Sequence, residues 1–363
     1  VSAFTTTGAT LFDDPARLGP ALHLWRAQVG WMGGLLMWVA AVAILAPLHL
    51  GGFEVTAQAE PGRRETSPHA LGPLSPRRRF GRAVAMLAPL YAGTDVFEQG
   101  GILPEIMMAA FMLLGLSRLT FSTDTMTATQ GGLRTDPEFR IGLAIVMLVP
   151  IALFSRHFLG AFDLDSANTL TEAFKALWGS IFTVLSFLTT TGFVSGYWSE
   201  TQSWSGLGTP GLILMGLAVM GGGVATTAGG VKLLRVYALY RNGLREMEKL
   251  VHPNSVSGAG AAGRRLQSNG AFIAWIFFML FALSFTGVTL ALAVVGVTFA
   301  DAMVLSIAML STTGPLVEVG GEAPIILMSL SDTAKAILMG AMVLGRLETL
   351  AIIALLTPDL WRS

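Results

Sequence analysis

Long apolar windows alternate with short ones along this chain, and that alternation constrains it first. Trp31–Leu50, Phe272–Val297 and Ala334–Leu356 approach or exceed the roughly 20 apolar residues needed to cross a bilayer. The pattern predicts an all-α polytopic membrane protein. Arg140–Phe154 and Gly206–Met220 are further apolar segments, and Ile102–Leu119 is just long enough to cross once. Ala173–Leu188 and Ala302–Leu310 are too short or too polar to cross. They fit re-entrant pore helices, whose irregular ends are tolerated in lipid only where protein or a wet cavity surrounds them.

The polar stretches between these windows assign sides. Residues 51–82 carry Arg63, Arg64, Arg77, Arg78, Arg79 and Arg82, and Arg118, Arg134 and Arg140 mark a second basic stretch. Both read as cytoplasmic by the positive-inside rule. The basic amphipathic run through Lys232, Arg235, Arg241, Arg245 and Lys249 reads the same way, as does the linker that follows with Arg264 and Arg265. Acidic residues fall on the other side, with Asp163, Asp165 and Glu172 before one short helix and Glu318, Glu322 and Asp332 beyond the other. That polarity draws cations toward the outer face. Residues 83–119 pose a difficulty, because both flanks read as cytoplasmic while the segment holds one plausible span.

Each short helix ends on the same short text. Thr189-Thr190-Thr191-Gly192 follows Ala173–Leu188, and Ser311-Thr312-Thr313-Gly314 follows Ala302–Leu310. A third copy, Thr5-Thr6-Thr7-Gly8, stands at the start of the chain. Recurrence of a small-hydroxyl run closed by glycine, each time before an apolar span, marks an internal repeat. The chemistry suits a dehydrating cation filter, in which backbone carbonyls in a row replace the hydration shell. Glycine reaches the positive-φ geometry that turns successive carbonyls toward one axis, and threonine adds hydroxyl oxygens.

Composition narrows the classes further. The chain of 363 residues is 53% apolar and 13% charged, with 23 basic and 23 acidic residues. That balance argues against a nucleic-acid partner, which calls for a net basic surface. No cysteine is present, so disulfides, thiolate metal sites and cysteine nucleophiles are absent. His23, His49, His69, His157 and His252 are scattered, without the close spacing of a helical zinc site. No His/Asp/Ser constellation has usable spacing, so an enzyme is not expected. The break Gly221-Gly222-Gly223-Val224-Ala225-Thr226-Thr227-Ala228-Gly229-Gly230 fails the phosphate-loop pattern, since no Gly-Lys-Ser/Thr follows at the required spacing. Arg346 lies within an apolar segment, where a charge is costly and normally faces a partner or water.

Taken with Ser2-Ala3-Phe4 and Thr10 around the first copy and Phe193 after Gly192, these motifs resemble the Trk/Ktr/plant high-affinity potassium transporter superfamily. The likeness is closest to the bacterial Trk-type potassium uptake membrane subunit. Gly229-Gly230-Val231-Lys232, Leu250-Val251-His252-Pro253-Asn254, Gly345-Arg346-Leu347-Glu348, Thr357-Pro358 and Trp361-Arg362 carry it too. The resemblance implies repeated helix–pore loop–helix units around a central pore. Gly8, Gly192 and Gly314 would be filter glycines favouring potassium, where some sodium-carrying relatives have serine in the first unit. Potassium would bind at Thr6, Thr7, Gly8, Thr190, Thr191, Gly192, Thr312, Thr313 and Gly314, with Thr5, Thr189 and Ser311 completing the strands. The glycine-rich break, with Gly221, Gly222, Gly223, Gly229 and Gly230, would be the gate, contacted by Arg346 and with Lys232 as a neighbour. The resemblance further implies a homodimer in a bacterial inner membrane, its C-terminus cytoplasmic, docking a nucleotide-binding regulatory subunit on residues 232–265 and the tail.

Organised on that plan, residues 1–50 hold the filter and second helix of unit one, and 51–82 form a cytoplasmic loop. Residues 83–140 form an incomplete unit two, 141–250 unit three, 251–271 a linker and 272–363 unit four. The sequence departs from the plan twice. It opens at the first filter without an initiator methionine or signal peptide, which suggests a fragment. Residues 83–101 hold no Thr-Gly filter and too little apolar length for a helix and pore loop. Gly8 and Gly192 lie 184 residues apart, too few for two whole repeats when Gly192 and Gly314 lie 122 apart. The alternative to a transporting pore is therefore a non-transporting remnant or regulatory membrane subunit.

Overall fold

The computed structural model describes residues 1–12, 18–40, 102–116, 136–160, 170–206, 210–223, 228–252 and 268–347. The arginine cluster of 63–82, the segment 83–101, Arg118, Arg134, Asp163, Asp165, the linker 253–267 and the tail from Glu348 onward lie outside them. Every regular element among the described residues is helical.

Unit one contributes α1 (Pro20–Ala40), with residues 41–50 of the expected span outside the described set. Next is α2 (Ile102–Leu114), shorter than the crossing expected to Leu119. Gly115 and Leu116 close it in tight turns onto Met112 and Leu113. At 1.5 Å per residue, α2 reaches about 20 Å against a hydrocarbon core of about 30 Å.

The next helix is α3 (Pro137–Gly160), which crosses the expected unit boundary at residue 141 and starts earlier and ends later than the apolar window. Asp136-Pro137-Glu138 explains the start. Proline suits the first helical position because its missing N–H would be unpaired there. Arg140 N–H donates to the Asp136 carbonyl, and the Glu138 N–H points at the Asp136 carboxylate, 3.4 Å away. The helix α4 (Leu170–Leu188), expected from sequence as a pore helix, follows, then α5 (Trp198–Ser205), α6 (Pro210–Met220) and α7 (Leu233–Val251). The axes of α5 and α6 are inclined by 117°.

The last described part of the chain comprises α8 (Ser268–Val294), the expected second pore helix α9 (Phe299–Leu310), a short turn of helix α10 (Leu316–Val319) and α11 (Asp332–Leu347). The pore helix starts three residues before the apolar window because Thr298 caps it. The Thr298 hydroxyl accepts from Asp301 N–H and donates to the Asp301 carboxylate, a reciprocal capping arrangement.

Among the described residues, two helices are long and apolar enough to cross a membrane, Pro137–Arg156 within α3 and Ala271–Val294 within α8, and α5 with α6 is a third candidate as a bent pair. Burial separates inner from outer elements. Ala302 and every residue from Val304 to Leu310 of α9 are buried, as are Phe182–Leu188 of α4. The outer helices show large apolar side chains instead, including Leu148 and Ile151 on α3 and Phe272, Leu283 and Leu290 on α8. A contiguous apolar exterior around a buried, partly polar centre fits a lipid-facing protein. The α4 helix packs against α2, α3, α5 and α6, and α9 packs against α6, α8 and α11.

Candidate ion filter and the loop beneath it

Each Thr-Gly stretch begins as the C-terminal cap of a helical turn, and the three caps share one hydrogen-bond pattern. In unit three, Thr189 N–H donates to Leu185 O, Thr190 N–H to Phe187 O and Thr191 N–H to Ser186 O. In unit four the corresponding bonds run from Ser311 to Ile307, Thr312 to Met309 and Thr313 to Ala308. Unit one repeats them from Thr5 to Val1, Thr6 to Ala3 and Thr7 to Ser2. The paired bonds spanning three and five residues are those of a Schellman cap. Such a cap requires one residue in the left-handed region, and glycine usually supplies it. Here threonine does, with φ of 53° at Thr6, 55° at Thr190 and 54° at Thr312. A β-branched residue in that region is an outlier costing about 1–2 kcal/mol. Recurrence at three equivalent positions makes it a property of the strand.

The flanking hydroxyls bridge each strained residue. Thr5 and Thr7 Oγ1 lie 2.7 Å apart, Thr189 and Thr191 Oγ1 2.9 Å apart, and Ser311 Oγ donates to Thr313 Oγ1 at 3.1 Å. Hydroxyls expected from sequence to assist a filter are thus engaged in bracing the turn.

The three glycines are needed for different reasons. Gly8 and Gly192 have φ of +80° and +85°, reached by other residues only with strain. Gly314 stays outside that region, but a Cβ there would lie 2.6 Å from Thr7 O and overlap the Ala9 backbone. The Gly314 N–H donates to Thr7 O at 2.6 Å. Pro315 sits between the other two strands. Its Cδ would lie 2.8 Å from a Cβ on Gly192 and 3.6 Å from one on Gly8. The sequence reading missed Pro315; its place directly after a filter glycine was the available signal.

The glycine-rich break lies against the inner ends of these caps, between α6 and α7, with residues 224–227 outside the described set. Gly229 N–H donates to the Thr190 hydroxyl at 2.8 Å. A Cβ on Gly229 would overlap Ser311 O and lie 2.7 Å from Thr312 Oγ1, so glycine alone allows the approach. Gly221 and Gly230 have φ of 72° and 74°. Gly222 O accepts from Leu233 N–H, and Gly223 N–H donates to Gly115 O at the end of α2. Lys232 is buried, has φ of 79°, and its ammonium donates to Ala228 O within the loop.

Arg346 is buried on α11, one residue after Gly345, where a Cβ would lie 2.8 Å from Leu310 Cα at the filter's approach. A cavity of about 30 Å³, near the size of one water, is lined by Gly230, Arg235, Phe277, Leu310 and Gly345 among others. Arg235 departs from the expectation of a solvated basic face. It is 2% exposed, with its guanidinium 3.6 Å from the centre of the Phe277 ring.

Comparison with known proteins agrees with this architecture. The profile of the TrkH family, described as cation transport protein, matches residues 99–361. The Trk system potassium uptake proteins TrkH of Salmonella typhimurium and of Escherichia coli K12 are each 29% identical over 398 aligned positions, covering 100% of this chain and 78% of each relative. Those alignments exceed this chain's 363 residues by tens of positions. The crystal structure of the potassium transporter TrkH from Vibrio parahaemolyticus superposes with a TM-score of 0.74 at 25% identity, covering 99% of this chain and 77% of that one.

Proposed function

The chain belongs to the TrkH family of cation transport proteins, and from that premise we propose that it is a potassium-conducting pore subunit of a Trk-type uptake system in a bacterial inner membrane. One observation carries the reading. Three strands with the same cap, the same strained threonine and a closing glycine converge above a loop whose Gly229 amide is bonded to the Thr190 hydroxyl.

A potassium ion entering from the acidic face would shed water onto backbone carbonyls of residues 6–8, 190–192 and 312–314. The membrane potential would supply the driving force, worth about 2.3 kcal/mol per charge per 100 mV. The loop from Gly221 to Gly230 would close the path below, and opening would break the Gly229–Thr190 bond and slide the loop off Ser311. Arg346 and Lys232 would set the loop's resting position through local positive charge. Residues 232–265 and the tail would meet a nucleotide-binding regulator in a homodimer. Restored potassium uptake in a transport-deficient host tests the reading; no rescue despite normal membrane expression contradicts it.

A second reading has its own support. The Gly314 N–H occupies one lone pair of Thr7 O, and Pro315 lies between Gly8 and Gly192, as in three strands closed on one another. In a non-transporting subunit that packing would be permanent. Insertion of a relative's second pore loop between Tyr91 and Ile102 separates the readings, since recovered uptake would assign the inactivity to the gap alone.

A further inference from the structure

The outer end of the unit-three strand is held by a carboxylate from another unit. Glu105, in the first turn of α2, accepts from Trp178 Nε1 at 2.8 Å, from Gly196 N–H at 2.8 Å and from the Ser195 hydroxyl at 3.0 and 2.9 Å. The Ser195 hydroxyl also accepts from Tyr197 N–H at 3.1 Å, which leaves its own proton for Glu105. Every group facing the carboxylate is thus a donor, and an ionised carboxylate is the side chain that only accepts. Ser195 is further tied by its N–H to Thr183 Oγ1 at 3.3 Å. Between this anchor and the Schellman cap, Gly192 N–H makes a long bond to Ser186 O at 3.4 Å, Phe193 is exposed and Val194 packs against the apolar core. The anchor therefore lies three residues from the filter glycine, about 10 Å along the chain.

We propose that Glu105 is a positioning residue for ion selection, fixing the outward end of the unit-three filter strand through Ser195, Gly196 and Trp178. The proposal rests on reading that strand as a potassium filter. Displacement of Ser195 would reach Gly192 through Val194 and Phe193, whose side chains cannot hydrogen-bond and hold the strand only by packing. The rest of α2 gives the anchor a firm base, since its far end is seated on the gate loop through Gly115 O and Gly223 N–H. Glutamine cannot substitute, because its NH₂ would be set against at least one of the three donors. Aspartate keeps the charge with a shorter reach.

The test uses the whole chain in nanodiscs and in cells, comparing wild type, Glu105→Gln, Glu105→Asp and Trp178→Phe. Amide exchange resolved to single residues reports the anchor, and rubidium uptake with sodium competition reports selection. Loss of a bond to a charged acceptor corresponds to about tenfold. Glu105→Gln should speed exchange at Gly196 by that factor, leave residues 184–188 protected, and lower potassium-over-sodium discrimination by a similar factor. Glu105→Asp should recover part of both, and Trp178→Phe should give a smaller loss with the carboxylate kept. Unchanged exchange at Gly196 overturns the anchor, and faster exchange with unchanged discrimination overturns its role in selection. If Glu105→Gln fails to fold, Trp178→Phe decides by the same two readouts. Absence of wild-type uptake would instead remove the potassium reading, and the exchange result would then judge the anchor by itself.

Discussion

The strands of units three and four begin alike and end differently. Both leave a buried pore helix through a Schellman cap with a left-handed threonine, Thr190 or Thr312. After the glycine they part. Gly192 takes φ of +85° and leads through Phe193 and Val194 to a distant anchor. Gly314 leads into Pro315, and Leu316, Val317 and Glu318 N–H turn back at once onto Thr313, Gly314 and Pro315. Proline explains the second course, since its fixed φ starts a helix. The cap is thus set by local backbone bonds common to all strands, whereas the path beyond it is set by the residue after the glycine. The stretch after Gly314 thus folds straight into α10, whereas the stretch after Gly192 runs on to contacts with Glu105 on α2.

Substitutions at the glycines break this comparison most sharply. Gly314→Ala should abolish uptake, because the new methyl meets backbone atoms of Thr7 and Ala9 that cannot step aside. Gly192→Ala should retain some flux, since its clash is with the edge of the Pro315 ring in addition to the backbone strain. Gly8→Ala has space for its methyl and should cost only the strain of about 1–2 kcal/mol. Uptake assays at matched membrane expression check the order, and equal losses at all three positions would undo the distinction drawn here.

Smaller effects sharpen the account of the loop and the cap. Thr190→Val removes the acceptor for Gly229 N–H and should raise basal flux about fivefold, the equivalent of one neutral hydrogen bond of about 1 kcal/mol. Flux in proteoliposomes without any regulator is the measurement. Thr312→Gly should raise the melting temperature by a few degrees, because it relieves the left-handed threonine and removes a buried hydroxyl that finds no partner among the described residues. A lower melting temperature would mean that packing of the threonine methyl outweighs its strain.

The short helices that end on a Thr-Gly stretch, the recurrence of that stretch and the glycine break between α6 and α7 were legible because each rests on local signals. Apolar length, a Thr-Gly stop and a run of small residues all lie within a few residues of one another. The starts of α3 and α9 moved outward where Asp136-Pro137 and Thr298 supply caps that a hydropathy window does not weigh. Conformation inside the motif was harder. Glycine was expected to supply the positive φ throughout, but threonine takes it two residues earlier and Gly314 does not need it. The threonine conformation follows from the Schellman cap, whose bonds a Thr-Gly motif does not announce, whereas the need for glycine at 314 comes from contact with Thr7 and Ala9 of another strand. Glu105, Pro315 and buried Arg235 were missed for the same reason. Each is ordinary in its own segment and becomes particular through residues far along the chain, such as Ser195 for Glu105, Phe277 for Arg235 and Gly192 for Pro315.

The central claim is that these strands select potassium, and Gly8→Ser tests it most directly. A serine Cβ has room there beside Pro315 and costs the positive-φ strain of about 1–2 kcal/mol, so folding and membrane expression should survive while a hydroxyl enters the filter. Measured as rubidium uptake against rising sodium, the account predicts clear potassium preference in the wild type and its loss in Gly8→Ser. Wild-type uptake without preference, or a Gly8→Ser chain that discriminates as well as the wild type, would contradict it.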